Sequence, residues 1–487
     1  MINPGERAAI ISLPSGEGCR IGGTFGIVIV RVVPLPVRNT MRISTDSSPL
    51  LAVRGEIVHF TDDPFAHGAD ACVHFPDGLL LVRDGHVLDC GPALALESSL
   101  PTDARRVDCS GKLILPGFID THTHSAQTEI IASHGEQLTT WLETYAWPAE
   151  ARHADPAYAA AGAGFFCDQL LRHGTTTAMV FTTVHPASTE ALFEAARARR
   201  MRMIAGKVLM DRNCPESLRD TSSEGDAQSR ALIEKWHGRE RLAYAVTPRF
   251  APTSTEEQMR QAGRLFGEAP GLYLQTHLAE QRAEVAWAMW LHPGARSYLD
   301  IYERFGQLGA RSVFAHCIWL DDEDRLHMAA HGATMSFCPT SNLFLGSGLF
   351  DLGRARDFGL RVGLGSDIGA GTSFSMLQIL NEAYKALQLV GQTLTPEAGF
   401  YLATLGGARA LYLDSYVGNF LPGREADFVV LDPHATTLLG ARMSHASTLA
   451  ERLFALMMLG DDRCVAATYI LGEPAFQRDV SVRSQNL

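Results

Sequence analysis

The sequence predicts an α/β protein: a (β/α)8 TIM barrel with a small β-sandwich domain formed from both chain ends. Three observations predict it. Strand-like and helix-like runs alternate from Pro116 to Ala410, which argues for a parallel sheet closed on itself. Short β-branched runs separated by Gly and Asp turns flank that stretch on both sides. Metal-binding side chains also fall at the ends of several central strand runs, where the active sites of such barrels lie.

In chain order, residues 1–50 are rich in Gly, Pro and Ser with little amphipathic pattern. They are expected to be a disordered arm or an over-annotated start, so a chain beginning at Met41 should fold and work normally. From Leu51, the runs LAVRGEIVHF, GLLLVRDGHVLDCG and KLILPGFID read as strands, with RDGHV as a hairpin. With ADFVVL and VAATYIL near the other end, they would form the small domain from residues 51–115 and 411–487. Between them, residues 116–410 would form the barrel. TTAMVF, RMIAGKVLM, LAYAVTPRF, LYLQTH, SVFAHC, ATMSFC and RVGLGSD alternate there with helical runs such as STEALFEAARARR and EEQMRQAGRLFGEA.

The chain carries 42 Lys+Arg against 54 Asp+Glu, a net charge of −12, and such a surface repels phosphate backbones. No nucleic-acid partner is expected. The apolar stretch from Ile27 is broken by Arg31, Pro34 and Pro36, so no membrane span is expected. Nine scattered cysteines without a CxxC pair point to a reducing, cytoplasmic setting.

His122 and His124 form a His-x-His at a strand end, and residues two apart in a strand present their side chains to one ion. His277, His316 and Asp367 end other strand runs. Imidazole with carboxylate suits zinc, with iron as second choice. Zinc lowers the pKa of a bound water to about 7, supplying hydroxide at neutral pH. Glu280, three residues past His277, is placed to move the protons such an attack requires. Lys207 reads either as a lysine bridging two metals or, more simply, as one snorkelling or pairing near a strand end. His185 lines the pocket or meets solvent at a loop. His86, His153, His173, His327 and His331 read as surface residues. P-loop, HExxH, GxSxG and the HxE…PCxxC pattern are all missing.

PGFIDTHTH, THLAE, FAHC, FCPTSN and GLGSDIGAG resemble the amidohydrolase superfamily in its mononuclear zinc aminohydrolase branch. WLETYAWPAE, TVHPASTEALFEAA, GKVLMDRNCP, TPRFAPTS, PTSNLFLGSGLFDL and GNFLPGREADFVVLD narrow the resemblance to the guanine deaminase family, from Leu51 to about Gly472. The resemblance implies hydrolysis of guanine to xanthine and ammonia in purine catabolism. It implies one zinc per chain, held by His122, His124, His277 and Asp367. Asp367 would also take the first proton from water, Glu280 would shuttle protons, and His316 would stabilise the tetrahedral species. Gln127, Arg249 and Phe250 would face the purine, beside His124, His277, Glu280 and Asp367. Arg249 would donate to the carbonyl oxygen that distinguishes guanine from adenine, and an amine at that position would leave the buried cation unpaired. Trp141 shields the ring or belongs to the core. The match makes Lys207 unmodified.

A homodimer working in the cytoplasm on guanine and water is expected. The competing readings are a related aminohydrolase acting on another purine, a pterin or a triazine, a two-metal cyclic amidase, and a non-catalytic protein of the same fold. The intact ligands and Glu280 argue against the last.

Overall fold

The structure is a computed structural model in which residues 49–135 and 137–478 are described. The expected arm therefore lies, apart from Pro49 and Leu50, outside the described residues, and so does Met41. The N-terminal flank supplies strands β1 (Leu51–Phe60), β2 (Cys72–Arg83), β3 (His86–Pro92) and β4 (Arg105–Pro116). Side chains alternate across β1 as a two-residue period requires. Leu51, Val53 and Ile57 join Leu80 and Val82 in one core, while Ala52 joins Leu79 and Leu81 in another. The turn at RDGHV has Asp84 at φ 52° and Gly85 at φ 79°, so both central residues are left-handed, as a two-residue hairpin of matching twist requires.

The barrel strands follow: β5 (Phe118–His124), β6 (Thr175–Phe181), β7 (Arg202–Gly206), the two-residue β8 (Val208–Leu209), β9 (Leu242–Pro248), β10 (Tyr273–Leu278), β11 (Ser312–His316), β12 (Thr334–Phe337) and β13 (Arg361–Leu364). Without β8, which pairs only with β9, they run side by side as β5-β6-β7-β9-β10-β11-β12-β13, every pair parallel. Every residue of β5 and β6 is buried, because helices cover a parallel sheet outside and side chains fill it inside. The ring is nearly closed between β13 and β5. There the Thr121 hydroxyl donates to the Leu364 carbonyl at 3.0 Å and meets Ser336 Oγ at 2.6 Å.

The chain ends in β14 (Phe428–Leu431), β15 (Val465–Ile470) and β16 (Glu473–Gln477), which rejoin the first sheet in the order β16-β15-β14-β4-β1-β2-β3. All its neighbours are antiparallel except β1 and β4. The helix Leu449–Leu459, also in this flank, packs Leu453, Leu456 and Met457 into the main core with Ile379, Leu380 and Ala383. Among the described residues, no helix is long and apolar enough to cross a membrane.

His153, expected at the surface, is buried. Its ring stands edge-on to Tyr158 at 5.0 Å, over the space left by Gly162. His331 is exposed, and His86, His173 and His327 are half-buried. His59 in β1 is buried edge-on to Phe420, and burial pushes its imidazole down to about 4. Between that value and its ordinary ~6.5, the unfolded chain binds a proton that the folded chain does not. Stability is therefore full above ~6.5 and falls as pH drops towards 4. Replacing His59 by Gln is expected to remove up to about 3 kcal/mol of that slope, read by urea denaturation near pH 7 and pH 4. An unchanged slope would place the acid sensitivity elsewhere.

Candidate active site

All the strand-end residues lie at one mouth of the barrel. His122 and His124 lie in β5, two residues apart and so on one side of the strand. His277 is the penultimate residue of β10, His316 ends β11, and Asp367 lies three residues beyond β13. One ligand atom from each of His122, His124, His277 and Asp367 falls within 4.8 Å of the others. Asp367 Oδ1 is 3.2 Å from His122 Nε2 and 3.1 Å from His124 Nε2. The Nε2 atoms of His124 and His277 stand 3.3 Å apart. His277 Nδ1 donates to the Arg249 carbonyl at 2.7 Å, which leaves Nε2 with its lone pair. His122 Nε2 is buried without a hydrogen-bond partner. An orphaned ring nitrogen, converging imidazole lone pairs and a shared carboxylate form a donor set that fits a divalent metal.

Two features hold this set in place that the sequence did not point to. Asp120 accepts hydrogen bonds from the backbone N–H of His122 at 3.2 Å and of Ser366 at 3.0 Å, tying the β5 ligands to the loop of Asp367. Burial pushes its carboxyl up to about 7. Asp367 itself adopts a left-handed backbone, φ 48°, and its N–H donates to the His122 carbonyl at 2.9 Å. Strain of this kind persists only where the surroundings over-determine it.

Burial also sets the charges. It pushes His122 down to about 4 and His277 well below its ordinary value. Burial alone would raise Asp367, but the His122, His124 and His316 imidazoles around it hold its carboxyl well below the usual range. Burial raises Glu280. His316 is raised against the opposing effect of burial by the Glu280 and Asp367 carboxylates. Glu280 accepts from Ser347 Oγ at 2.8 Å, and its other oxygen is 3.5 Å from His316 Nε2. His316 Nδ1 donates to Asn342 Oδ1 at 2.9 Å. Ser347 and Asn342 both lie in PTSNLFLGSGLFDL, but neither is a residue type that announces chemistry in a sequence.

A pocket opens beside these groups. His124, His277, Glu280, His316 and Asp367 line it, with Gln127, Trp141, Arg249 and Phe250 among the other lining residues. The structure thus brings every residue read as catalytic or substrate-binding to one cavity, while His122, read as a metal ligand only, belongs to the ligand group and is not among the lining residues. His185 is half-buried at the start of the helix Pro186–Ala198 and is not among the lining residues.

Arg249 has a carboxylate partner within the chain. It follows β9, is buried, and its Nη1 donates to both carboxylate oxygens of Glu150 at 2.8 and 2.7 Å. A charge in so dry a place requires a partner, and Glu150 on the helix Trp147–Ala151 supplies it. Lys207, just beyond β7, pairs near the strand end and does not snorkel to water. It is fully buried, ion-paired to Asp220, and lies outside the ligand group.

Residues 113–475 match the amidohydrolase family, and the chain belongs to it. Among its relatives, the guanine deaminase of Escherichia coli K12 is 50% identical over 433 residues, which is 88% of this chain and 98% of that protein. A probable guanine deaminase of Deinococcus radiodurans is 40% identical over the same shares of the two chains. The solved structure of the E. coli guanine deaminase superposes with a TM-score of 0.86, covering 88% of this chain and all of that one.

Proposed function

We propose that this chain hydrolyses guanine to xanthine and ammonia in purine catabolism, on one zinc ion held by His122, His124, His277 and Asp367. The observation that carries this reading is the 50% identity to a guanine deaminase along nearly the full length of both chains. A homodimer in the cytoplasm is part of the same reading. The bound metal supplies Lewis acidity and lowers the pKa of water to about 7.

In the overall change a C2–O bond forms, the C2–N bond to the amino group breaks, and the nitrogen leaves as ammonia. The two protons of the water end on the ring nitrogen N3 and on the departing amine. Asp367, held ionised by its imidazole neighbours, accepts the first of them. Glu280, whose carboxyl burial raises, carries a proton to N3 and then to the amine. The two carboxyl groups thus divide acid and base work because their surroundings push them in opposite directions. His316, fixed through Asn342 and raised by the two carboxylates, donates to the oxygen developing on C2. Arg249 donates to the guanine carbonyl oxygen, Gln127 and Phe250 contact the ring, and Trp141 shields it.

Following absorbance with guanine, adenine, pterins and triazines tests the substrate. Rapid turnover of triazines with none of guanine would refute the assignment. Elemental analysis is expected to return one zinc per chain, because the Lys207 amine that a second metal would need is committed to Asp220. Two metals with a carbamate on Lys207 would overturn the one-metal mechanism.

A further inference from the structure

We infer that Glu150 sets the charge and the hydrogen-bonding sense of the purine-binding wall, so that the site selects a neutral purine and does not retain an anionic one. This rests on the guanine reading above and adds a specificity residue to it. Three segments distant in sequence meet here: Gln127 just after β5, Glu150 on the helix Trp147–Ala151, and Arg249 just after β9. All three side chains are buried, Glu150 completely.

Glu150 Oε1 accepts from Gln127 Nε2 at 2.7 Å and from Arg249 Nη1 at 2.8 Å, while Oε2 accepts from Nη1 at 2.7 Å. An ionised carboxylate only accepts, so the amide NH2 of Gln127 has to face it. The Gln127 carbonyl then turns towards Gly369, whose left-handed backbone (φ 116°) and missing Cβ leave the room. A Cβ there would lie 2.2 Å from Gln127 Oε1. The wall consequently offers an acceptor for a ring N–H, from Gln127, and the Nε and Nη2 donors of Arg249 for a carbonyl oxygen.

The charge follows from the same bonds. Arg249 and Glu150 cancel, leaving donors and acceptors without net charge. An unpaired guanidinium in this dry cavity would draw anions strongly. Hydrolysis replaces the amino group of guanine by a second carbonyl, which makes the ring N–H groups more acidic. The product therefore ionises more readily than the substrate, and a bare Arg249 would hold it. Glu150 removes that preference.

The test compares guanine KM and kcat, and xanthine inhibition from about pH 6 to 9, in the metal-loaded wild-type protein and its variants. Glu150→Gln is expected to raise the guanine KM more than it lowers kcat. It is also expected to tighten xanthine inhibition about tenfold relative to wild type at the alkaline end, and less at the acid end. The double variant Glu150→Gln/Arg249→Met removes the cation and has to abolish the tightening. Should Glu150→Gln fail to fold, Glu150→Asp, which keeps the charge but whose shorter side chain cannot serve both partners, is expected to raise the guanine KM with xanthine inhibition near wild type at every pH. Xanthine inhibition tightened at the alkaline end in that variant would overturn the charge argument. Guanine and xanthine binding weakened together at every pH, or neither changed, would overturn the inference and leave the guanine reading intact. Absence of guanine turnover by the wild-type protein would overturn both.

Discussion

Replacing Glu280 by Gln is expected to lower guanine turnover by ~10²–10⁴-fold while leaving metal content and melting temperature near those of the wild type. The amide keeps the volume of the carboxyl and can still accept from Ser347 Oγ through its carbonyl oxygen, so the packing around it has no reason to change. What it loses is a transferable proton. Glu280 is buried and raised, 3.5 Å from His316 Nε2, and it is the one raised carboxyl the proposed mechanism uses as an acid. Steady-state absorbance assays and elemental analysis on the same preparation separate the possibilities. Near-native turnover with metal intact would remove Glu280 from proton transfer, whereas loss of metal together with activity would make its role structural.

Arg249→Ala is expected to damage guanine turnover and stability together, because two interactions go at once. The charge-assisted bond to the guanine carbonyl is worth roughly 1.5–3 kcal/mol in kcat/KM. The completely buried Glu150 would also lose its cation, and stripping one member from a buried pair typically costs about 3–5 kcal/mol of folding free energy. Two comparisons separate these effects. On 2-aminopurine, which keeps the amine that leaves but lacks the carbonyl, the loss of kcat/KM is expected to be much smaller than on guanine. In the double variant Arg249→Met/Glu150→Gln, urea denaturation is expected to show stability partly regained, with guanine turnover still low. Equal losses on the two purines would assign Arg249 to structure alone.

How much of this was legible in the sequence depends on the distance over which each signal acts. His122 and His124 announce themselves because a two-residue spacing in a strand is a local pattern, and THLAE and GLGSD carry their chemistry inside a few residues. The Asp-Gly turn between β2 and β3 was readable for the same reason. Glu150 was not, although it lies in WLETYAWPAE, one of the runs that carry the resemblance. On a helix an acidic residue is ordinarily a solvated one, and only the fold shows that this one meets Arg249 and Gln127 from two other segments. Asp120 stands beside the ligand strand in the quoted PGFID, yet its function is to bond the Ser366 loop, which reaches it only when the barrel closes. His153 was misplaced because the helix Pro156–Arg172 that follows it brings Tyr158 and Gly162 onto its ring, a contact its polar surroundings in the sequence do not announce.

By itself, then, the sequence determined the alternation of strands and helices that makes a barrel, and the residue types at the strand ends that suit a metal and a proton shuttle. These are consequences of backbone period and side-chain chemistry, and both are local. Only the tertiary structure decided which groups are charged and what holds them. Arg249 is neutralised by Glu150 and Lys207 by Asp220, and burial and neighbours push Asp367 and Glu280 in opposite directions. The physical reason is that charge states follow from desolvation and from partners brought together across the chain, and neither exists until the barrel has folded.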